Sequence, residues 1–240
     1  MTKTPKGFLN KKPKKLKTNP KLYNVKDKPK DAVYIGRGTP YGNPFRIGKH
    51  GTRKEVIKLF KLETLPFIDV SDLKGCDIVC HCAPKPCHGK SILRKANTPP
   101  ITRFKGEYAF LSNFYPSPRK IAFKKYTTVE HVYQALKIVN EKEREPIRNA
   151  ETPAEAKRLG RKVKVRPNWD NLKLFFMEKL LVHKFKDKKL RKKLLATGHA
   201  ALIETNDHKD RYWGVYKGKG ENNLGKLLEH IREGIRQGVY

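Results

Sequence analysis

The sequence has 240 residues, enough for one large domain or two small domains that bury a core without disulfide or metal staples. Its formal net charge of +32 and isoelectric point of about 10.1 predict attraction to phosphate groups, on small substrates or on nucleic acid. Lysines outnumber arginines, however, so genome composition is an alternative source of this charge. Because no recognisable nucleic-acid reader motif is present, we expect only non-specific contact with nucleic acid through the basic surface.

The cysteine and apolar patterns exclude two further classes of protein. All four cysteines fall between Cys76 and Cys87, which is not the pattern of a secreted disulfide framework. No apolar run approaches the length of a membrane span, and the first residues are polar lysines rather than a signal peptide. We therefore expect a reducing intracellular compartment, the cytoplasm, and no membrane partner. The sequence does not determine the oligomeric state.

Residues 1–30 contain eleven lysines and a single acidic residue, Asp27. With few apolar residues, this segment cannot offset the entropy that is lost on ordering, so we expect a disordered, mobile arm. Within the arm, Lys11–Lys17 resembles a nuclear-localisation cluster, which would permit nuclear entry. A solvated tail explains the same composition at least as well.

Residues 31–96 alternate predicted strands and helices. The predicted elements are a strand at Ala32–Ile35, a glycine-rich loop at Gly36–Phe45, a helix capped by Thr52 and Glu55, a strand at Cys76–Cys82 and a helix that ends near Asn97. This β-α-β-α order favours a parallel strand pair, with both loops at the same edge of the sheet. An anion site at that edge would involve Arg37, Asn43, His88 and Lys90.

Cysteines and histidines cluster around the second loop, at Cys80, His81, Cys82, Cys87 and His88. Their spacing lacks the paired Cys-x-x-Cys of structural zinc sites. Because neighbours on a strand point to opposite faces, Cys80 and Cys82 can converge but His81 cannot join them. We predict buried thiols, with a lowered pKa for Cys87 at the start of its helix, and no essential metal; a zinc site is the alternative.

The two loops resemble those of a small uncharacterised domain found in phages and large viruses. The motifs that carry the resemblance are Gly-Arg-Gly-Thr-Pro-Tyr-Gly-Asn-Pro-Phe at residues 36–45 and His-Cys-Ala-Pro-Lys-Pro-Cys-His-Gly at residues 81–89. The resemblance implies no chemistry. Residues 31–96 are therefore assigned only as a small α/β domain of unknown function.

Residues 97–101 contain two consecutive prolines and are predicted to form a linker, because proline disfavours helix and holds the chain extended. Residues 102–240 are predicted to form a helix-rich α+β domain with a small sheet. The predicted elements are a strand at Ile121–Phe123, a helix within Tyr126–Lys137 that begins after Thr127, helices at Ala154–Leu159, from about Trp169 and at Leu190–Leu195, a strand at Leu202–Ile203 and a final helix from about Leu224.

The predicted helix at Tyr126–Lys137 places Glu130, Gln134 and Lys137 on one stripe beside an apolar face. Thr127 followed by Glu130 fits a capping box, in which the glutamate only accepts a backbone hydrogen bond, and spacing alone favours this interpretation. The alternative places the stripe at the edge of a pocket. In both cases we expect the helix dipole to favour the ionised carboxylate.

Two later segments carry more polar groups than a purely structural domain requires. Asp207–Gly214 is a polar loop in which Asp210 precedes Trp213 by three residues. The glycine-rich turn Gly218–Gly225 leads into the final helix. Asn222 in that turn is either an ordinary N-cap or part of a phosphate or ribose site, and the sequence favours neither.

Residues 102–240 resemble the NADAR family, whose motifs occur here in family order. They are Leu111-Ser-Asn-Phe114, Val129-Glu-His131 with Gln134 and Lys137, Ala156-Lys157 with Gly160-Arg161, Arg166 with Trp169, Lys184-Phe185, Thr197-Gly198, Glu204, Asp210 with Trp213-Gly214, and residues 220–225. The family includes N-glycosidases that destroy reactive early intermediates of riboflavin biosynthesis, a form of metabolite damage control. The resemblance implies a hydrolase that cleaves the C–N bond of a phosphorylated ribosyl substrate without a cofactor.

Carried over by position, the resemblance implies catalytic roles for Glu130 and Asp210. Glu130 would stabilise the oxocarbenium ion, and Asp210 would bind ribose hydroxyls or share the proton transfer. The implied substrate contacts are base stacking by Trp169 and Trp213, polar contacts from Asn113, Gln134 and Asn222, and phosphate binding by Arg161 and Arg166.

Two alternative functions stay open. One is an enzyme that removes ADP-ribose from nucleic-acid bases, a role that is also associated with this family and is compatible with the high positive charge. The other is a non-enzymatic protein that binds nucleotides or nucleic acid through the same pocket. Loss of Glu130 separates binding from catalysis, and salt dependence separates a polymeric substrate from a small one.

Overall fold

A computed structural model describes residues 16–121 and 124–240. This part of the chain divides into two compact units. The first unit comprises the residues up to Pro100 together with 199–201 and 233–239, and the second comprises 101–198, 202–232 and Tyr240. Within the described residues, no helix is long and apolar enough to cross a membrane.

The first unit is built on a three-stranded parallel sheet. Its elements are β1 (Leu22–Asn24), β2 (Val33–Tyr34), α1 (Arg53–Glu63), β3 (Ile78–Cys80) and α2 (Gly89–Asn97), with short 3-10 helices at Leu65–Phe67 and Ser71–Leu73. The strand order is β1, β3, β2, so Ile78 on the central strand lies opposite Leu22 on one side and Val33 on the other. The predicted parallel pair and the predicted capping box of Thr52 and Glu55 are confirmed.

One apolar core joins the sheet to its two helices. Ile35 after β2, Phe60 on α1, Ile78 on β3 and Ile92 on α2 are fully buried and belong to one cluster. Three of the four cysteines, Cys76, Cys80 and Cys87, are part of this core. The thiols are therefore buried, as predicted, rather than displayed on a surface loop.

The strand β1 lies in the segment 1–30 that we expected to be a mobile arm. Residues 1–15, with most of the localisation-like cluster, lie outside the described residues, but Leu22–Asn24 is part of the sheet. The buried Asp77 carboxylate holds this segment, because it accepts a hydrogen bond from the backbone N–H just before β1 (2.8 Å) and pairs with Lys17. The α/β fold therefore begins before residue 31, and the prediction of a disordered arm was wrong for β1.

The second unit is helix-rich with small sheets, as predicted. A parallel pair joins β4 (Ile101–Thr102) to β7 (Leu202–Ile203), and an antiparallel pair joins β5 (Arg119–Ile121) to β6 (Lys124–Tyr126). The helices are α3 (Val129–Ala135), α4 (Glu145–Arg148), α5 (Pro153–Gly160), α6 (Trp169–Lys184), α7 (Lys188–Ala196) and α8 (Asn223–Gln237), with 3-10 helices at Gly106–Leu111 and Lys142–Arg144. The last residues of α8, from 233 onward, group with the first unit.

The short helix α3 lies at the centre of the second unit. It packs against α4, α5 and α6, and all 7 of its residues are buried. The sequence predicts a helix that begins after a cap at Thr127 and reaches Lys137, whereas the observed helix begins after Thr128 and ends at Ala135. No face of α3 is left to solvent, so Glu130, His131 and Gln134 must find polar partners inside the protein.

Candidate active site

A pocket of about 440 Å³ opens beside α3. It lies between α3, α5, the start of α6, the segment after the first 3-10 helix of this unit and the loop after β7. A pocket of this size suits a small-molecule ligand. The predicted site residues that line it are Glu130, Asp210, Trp169, Trp213, Asn113, Gln134 and Arg161.

Glu130 does not cap its helix. The N-cap is Thr128, whose hydroxyl accepts a hydrogen bond from the backbone N–H of His131 (3.4 Å). Glu130 Oε1 instead accepts a 2.7 Å hydrogen bond from Gln134 Nε2, one turn further along α3. The capping-box interpretation of Thr127 and Glu130 was therefore wrong, and the Glu130 side chain lines the pocket.

Burial dominates the electrostatics of Glu130, which is 6% exposed. Loss of hydration raises the pKa of its carboxyl, whereas the Gln134 hydrogen bond and the charges of Lys157 and Lys137 lower it. The net direction is upward, so burial outweighs the influences that favour the ionised carboxylate. The ionised form depends on the Gln134 amide and the two lysines.

Asp210 and Glu204 bring two more carboxyl groups to the same pocket. Asp210 Oδ1 accepts hydrogen bonds from the backbone N–H groups of Tyr212 (3.0 Å) and Trp213 (2.8 Å), which fixes the turn that carries the tryptophan. Glu204 follows β7, and its buried Oε2 has no hydrogen-bond partner among the described residues. Burial raises the pKa of Glu204 to about 7, and the negative charge of Asp210 adds to that effect.

Aromatic rings form one wall of the pocket. The Tyr133 ring lies 5.2 Å from Trp169 and 5.5 Å from Trp213, measured between ring centroids. Trp213 also makes an edge-to-face contact with Tyr212, at 5.0 Å. Both tryptophans are half-buried and reach the pocket from different elements. A wall of this kind suits a flat heterocycle.

Basic side chains surround the same pocket. Lys137, Lys157, Arg161 and Lys173 line it, and Lys137 Nζ is held by the Gly160 carbonyl oxygen (3.2 Å). A second, more open pocket of about 290 Å³ shares Lys157 and Arg161 with the first. Cations that line a pocket are suited to phosphate groups.

Two predicted site residues do not line the pocket. Arg166 donates from Nη2 to a backbone carbonyl (3.1 Å), and its guanidinium group lies 5.2 Å from the Phe176 ring centroid. The Asn222 side chain accepts a hydrogen bond from the Glu204 N–H (3.0 Å) and donates one to the Leu202 carbonyl oxygen (2.8 Å). Their predicted contacts with substrate are therefore corrected: Arg166 is engaged elsewhere, and Asn222 positions Glu204 instead of binding a ligand itself.

Glu204 is the candidate that we did not single out from the sequence. It is the first residue after a strand of the parallel pair, and the carboxyl ends of parallel strands are where α/β sheets place ligand-binding groups. It is also one of the motif positions that carry the NADAR resemblance. The spacing of Tyr133 from Val129 and Leu136 predicts only that it lies on the apolar face of its helix. Its ring contacts with Trp169 and Trp213 could not be predicted from that spacing.

The first unit has a pocket of its own, of about 450 Å³. The predicted anion-site residues Arg37, Asn43 and His88 line it, but Lys90 does not. The lowered pKa predicted for Cys87 was wrong. A hydrogen bond with Cys80 raises the pKa of the Cys87 thiol, and burial raises it further. The same hydrogen bond lowers the pKa of Cys80.

Family models match both parts of the chain. A NADAR domain model matches residues 102–236, and a domain of unknown function, DUF4326, matches residues 19–98. N-glycosidase YbiA of Escherichia coli strain K12 is 43% identical over 131 residues, which are 53% of this chain and 81% of that protein. N-glycosidase Npun_R5314 of Nostoc punctiforme is 40% identical over 136 residues, which are 54% of this chain and 86% of that protein.

A longer relative and a solved structure agree with this match. Riboflavin biosynthesis protein VVA0006 of Vibrio vulnificus is 34% identical over 134 residues, which are 54% of this chain and 36% of that protein. The NMR structure of E. coli YbiA covers 59% of this chain and 87% of its own, with 39% identity and a TM-score of 0.54. Because the NADAR model matches more than half of the sequence, the chain belongs to the NADAR family.

Proposed function

We propose that residues 102–240 form a hydrolase that cleaves the C–N glycosidic bond of a phosphorylated ribosyl compound. The observation that carries the proposal is the placement of Glu130, a buried carboxyl group that lines the pocket and is held by a side-chain amide rather than used as a helix cap. The relatives named N-glycosidases, at 43% and 40% identity, support the same type of bond.

Cleavage of this bond needs stabilised positive charge and two proton transfers. The bonding electron pair leaves with the heterocycle nitrogen, and the anomeric carbon becomes positive, which the Glu130 carboxylate stabilises. Glu204, with a pKa of about 7, donates a proton to the leaving nitrogen. A water oxygen then bonds to the anomeric carbon and loses its proton to Asp210 or to ionised Glu130. Asp210 is also our candidate for binding ribose hydroxyls, because it lines the same pocket.

Within this reaction type, we propose phosphoribosylated pyrimidines, the reactive early intermediates of riboflavin biosynthesis, as the substrates. The aromatic wall of Tyr133, Trp169 and Trp213 suits a flat heterocycle, and Lys157 and Arg161 suit its phosphate. A relative over 134 residues is named a riboflavin biosynthesis protein, which supports the same substrate class. The role would be metabolite damage control.

The adjoining basic pocket favours a second candidate substrate, ADP-ribose linked to a nucleic-acid base. Lys157, Arg158 and Arg161 line that pocket, so a second phosphate would have cationic partners beyond the first pocket. The formal charge of +32 also favours a polyanionic substrate. A polymer releases many counterions on binding, so its cleavage would fall steeply with added salt, whereas cleavage of a small substrate would fall little.

The test is mass spectrometry of products after incubation with phosphoribosylamino-pyrimidines and, separately, with ADP-ribosylated DNA. We expect free heterocycle and ribose phosphate from the first substrate, and about 100-fold less product, or less still, with Glu130→Gln. Cleavage of the DNA alone, with a steep salt dependence, would replace the riboflavin-intermediate assignment by the ADP-ribose one. Folded wild-type protein that cleaves neither substrate would contradict the enzymatic proposal.

A further inference from the structure

Three ligand-type side chains converge in the first unit, outside the site described above. They are Cys80 at the end of β3, and Cys87 and His88 just before α2, and each is buried. Their ligand atoms all lie within 4.8 Å of one another. The loop between β3 and α2 thus returns Cys87 and His88 to the strand end that carries Cys80.

The hydrogen bonding of His88 leaves one ring nitrogen directed at the thiols. Its Nε2 lies 3.1 Å from the Ile35 carbonyl oxygen, and its Nδ1 lies 3.5 Å from Cys87 Sγ. A carbonyl oxygen only accepts hydrogen bonds, so Nε2 carries the hydrogen and Nδ1 of the neutral ring carries the lone pair. A histidine that binds a metal usually donates its other N–H to a carbonyl or carboxylate in this way.

The separation of one sulfur and one nitrogen in the cluster fits a tetrahedral zinc ion. With Zn–S and Zn–N bonds of about 2.3 and 2.0–2.1 Å, a sulfur and a nitrogen on one tetrahedral ion are about 3.5 Å apart. The observed distance from Cys87 Sγ to His88 Nδ1 is 3.5 Å. Two thiolates and one neutral imidazole balance the charge of Zn²⁺, and these soft and borderline ligands select zinc over Mg²⁺ or Ca²⁺.

The three ligand-type side chains also line a pocket. Cys80, Cys87 and His88 line the pocket of about 450 Å³ in this unit, together with Arg37 and Arg53. The nearby Cys82 is only half-buried and is not one of the three converging groups. His81 points away and packs edge-on against Tyr34, at 5.7 Å between ring centroids. Two cysteines and one histidine with an open fourth position are the ligand set of some catalytic zinc sites.

We propose that Cys80, Cys87 and His88 bind one Zn²⁺ ion whose fourth coordination position opens on the arginine-lined pocket. Binding replaces the two thiol protons, which are released to solvent, and no electron transfer is required. The site is independent of the N-glycosidase proposal, because every ligand lies in the first unit. The ligand class that fits the fourth position is water or a small anion beside the arginines.

The test uses the full-length protein purified under reducing conditions. We expect one zinc per chain by mass spectrometry of the metal, and a thiolate-to-cobalt charge-transfer band when Co²⁺ replaces it. Cys87→Ser should weaken binding more than the roughly 10- to 100-fold that loss of an outer-shell partner costs. Cys76→Ser is the matched control, because Cys76 is a buried thiol of the same core outside the cluster, and it should keep the metal.

Cys82→Ser tests the open position and should also keep one zinc per chain. If it loses the metal as Cys87→Ser does, the three-ligand assignment is wrong. Alkylation of the wild-type protein tests the site even if the serine variants fail to fold. Bound zinc should protect Cys80 and Cys87 from alkylation until a chelator removes the metal. Zinc-free protein that gives no cobalt–thiolate band, or a Cys80–Cys87 disulfide in place of the metal, would overturn the proposal.

Discussion

Glu55 and Glu130 show how one sequence pattern leads to two environments. Each glutamate follows a threonine by three residues at a helix start. The Glu55 carboxylate accepts a hydrogen bond from the Thr52 backbone N–H (2.7 Å), which completes a capping box at the surface. At α3 the cap is Thr128, one residue later than the pattern suggests. Because each residue advances a helix by about 100°, Glu130 no longer faces the capping position, and its side chain lines the pocket instead. Because Thr127 and Thr128 are equally good caps, the sequence could not decide between them.

This contrast makes Glu55→Gln a matched control for Glu130→Gln. We expect Glu130→Gln to lower turnover by about two orders of magnitude or more, because it removes the charge and keeps the size of the side chain. Its melting temperature should not fall, since a buried charge costs free energy that a neutral amide does not. Glu55→Gln should do the opposite, with a lower melting temperature and unchanged turnover per folded molecule. A destabilised but fully active Glu130→Gln would end the catalytic assignment.

Glu204 makes both stability and activity depend on pH. Burial raises its pKa to about 7, above the ordinary value of a glutamate, so the folded state holds the proton more tightly than the unfolded state. Stability from this group is complete below the unfolded pKa and is lost as pH rises through about 7. We expect turnover to fall over the same upper range, because the acid form donates the proton. The measurements are melting temperature and kcat/KM from pH 5 to 9.

In Glu204→Gln, the melting temperature should no longer fall as pH rises through about 7. Its kcat/KM should be low at every pH and should not decline over that range. Asp207→Asn is the control, because Asp207 lies on the following loop but its side chain is 78% exposed. It should leave both profiles as they are in the wild type. An unchanged activity limb in Glu204→Gln would assign the proton donor to another group.

At the scale of elements, the sequence predicts what strong local signals determine. The helix α1 has its capping box, α5 begins with Thr152 as cap and a proline, and both were found close to their predicted positions. The strand β1 was missed, because its position depends on the long-range partner Asp77 rather than on its own 3 residues. The start of α6 is set by Asn168 in a left-handed conformation (φ 58°), which presents Trp169 in the first turn.

The packing of α5 against α3 determines the position of the Gln134 amide. A methyl group added at Gly160 would lie 2.2 Å from Gln134 Oε1 and 2.8 Å from its Cβ, so the side chain that holds Glu130 must move. We expect Gly160→Ala to destabilise the protein by about 1–3 kcal/mol and to lower turnover about tenfold or more. Thermal unfolding and kinetics on the same sample measure both effects.

Gly198→Ala separates lost stability from lost geometry. Gly198 follows α7 with φ +60°, and an added methyl group would meet nothing within 4 Å. The substitution should therefore cost about 1–2 kcal/mol through backbone strain alone. Turnover per folded molecule should be unchanged. If Gly160→Ala and Gly198→Ala lose turnover equally, the position of the Gln134 side chain does not explain the effect of Gly160→Ala.

At the scale of the whole molecule, the net charge is weak evidence for the binding of nucleic acid or other polyanions. Lys184 is 1% exposed, and its Nζ donates to the Ser112 carbonyl oxygen (2.7 Å), while buried Lys95 donates to the Leu65 carbonyl oxygen (2.7 Å). Some of the basic residues are therefore internal hydrogen-bond donors rather than a surface for polyanions. Composition cannot distinguish the two uses.

The sequence predicted most of the residues that form the site, but not all of their individual contacts. The family resemblance placed Glu130, Asp210, Trp169 and Trp213 together although they are far apart in the sequence, and all four line one pocket. Asn222 was assigned to the substrate through the family resemblance, and Arg166 through its positive charge. In the structure, those polar groups satisfy backbone partners, which is a long-range outcome that residue type and spacing do not reveal.

The organisation of the chain predicts its pattern of proteolysis. The main division of the described chain falls at Pro100, although residues 199–201 and 233–239 group with the first unit. The two family models match residues 19–98 and 102–236, and Pro99 and Pro100 are exposed. Exposed segments between compact units are cut first because they can unfold locally at low cost. We expect limited digestion of the full chain with a broad-specificity protease to release a stable fragment that begins near residue 100. Mass spectrometry and N-terminal sequencing over time identify the cut.

The loop 161–168 between α5 and α6 is the internal comparison for that experiment. It contains exposed residues, including Val165 at 44%, but it lies within the second unit. If residues 97–101 are a linker between two domains, they should be cut well before this loop, and the fragment should persist. Cleavage at both positions at the same rate, or digestion that proceeds uniformly through the fragment, would show that residues 102–240 do not form a separate domain.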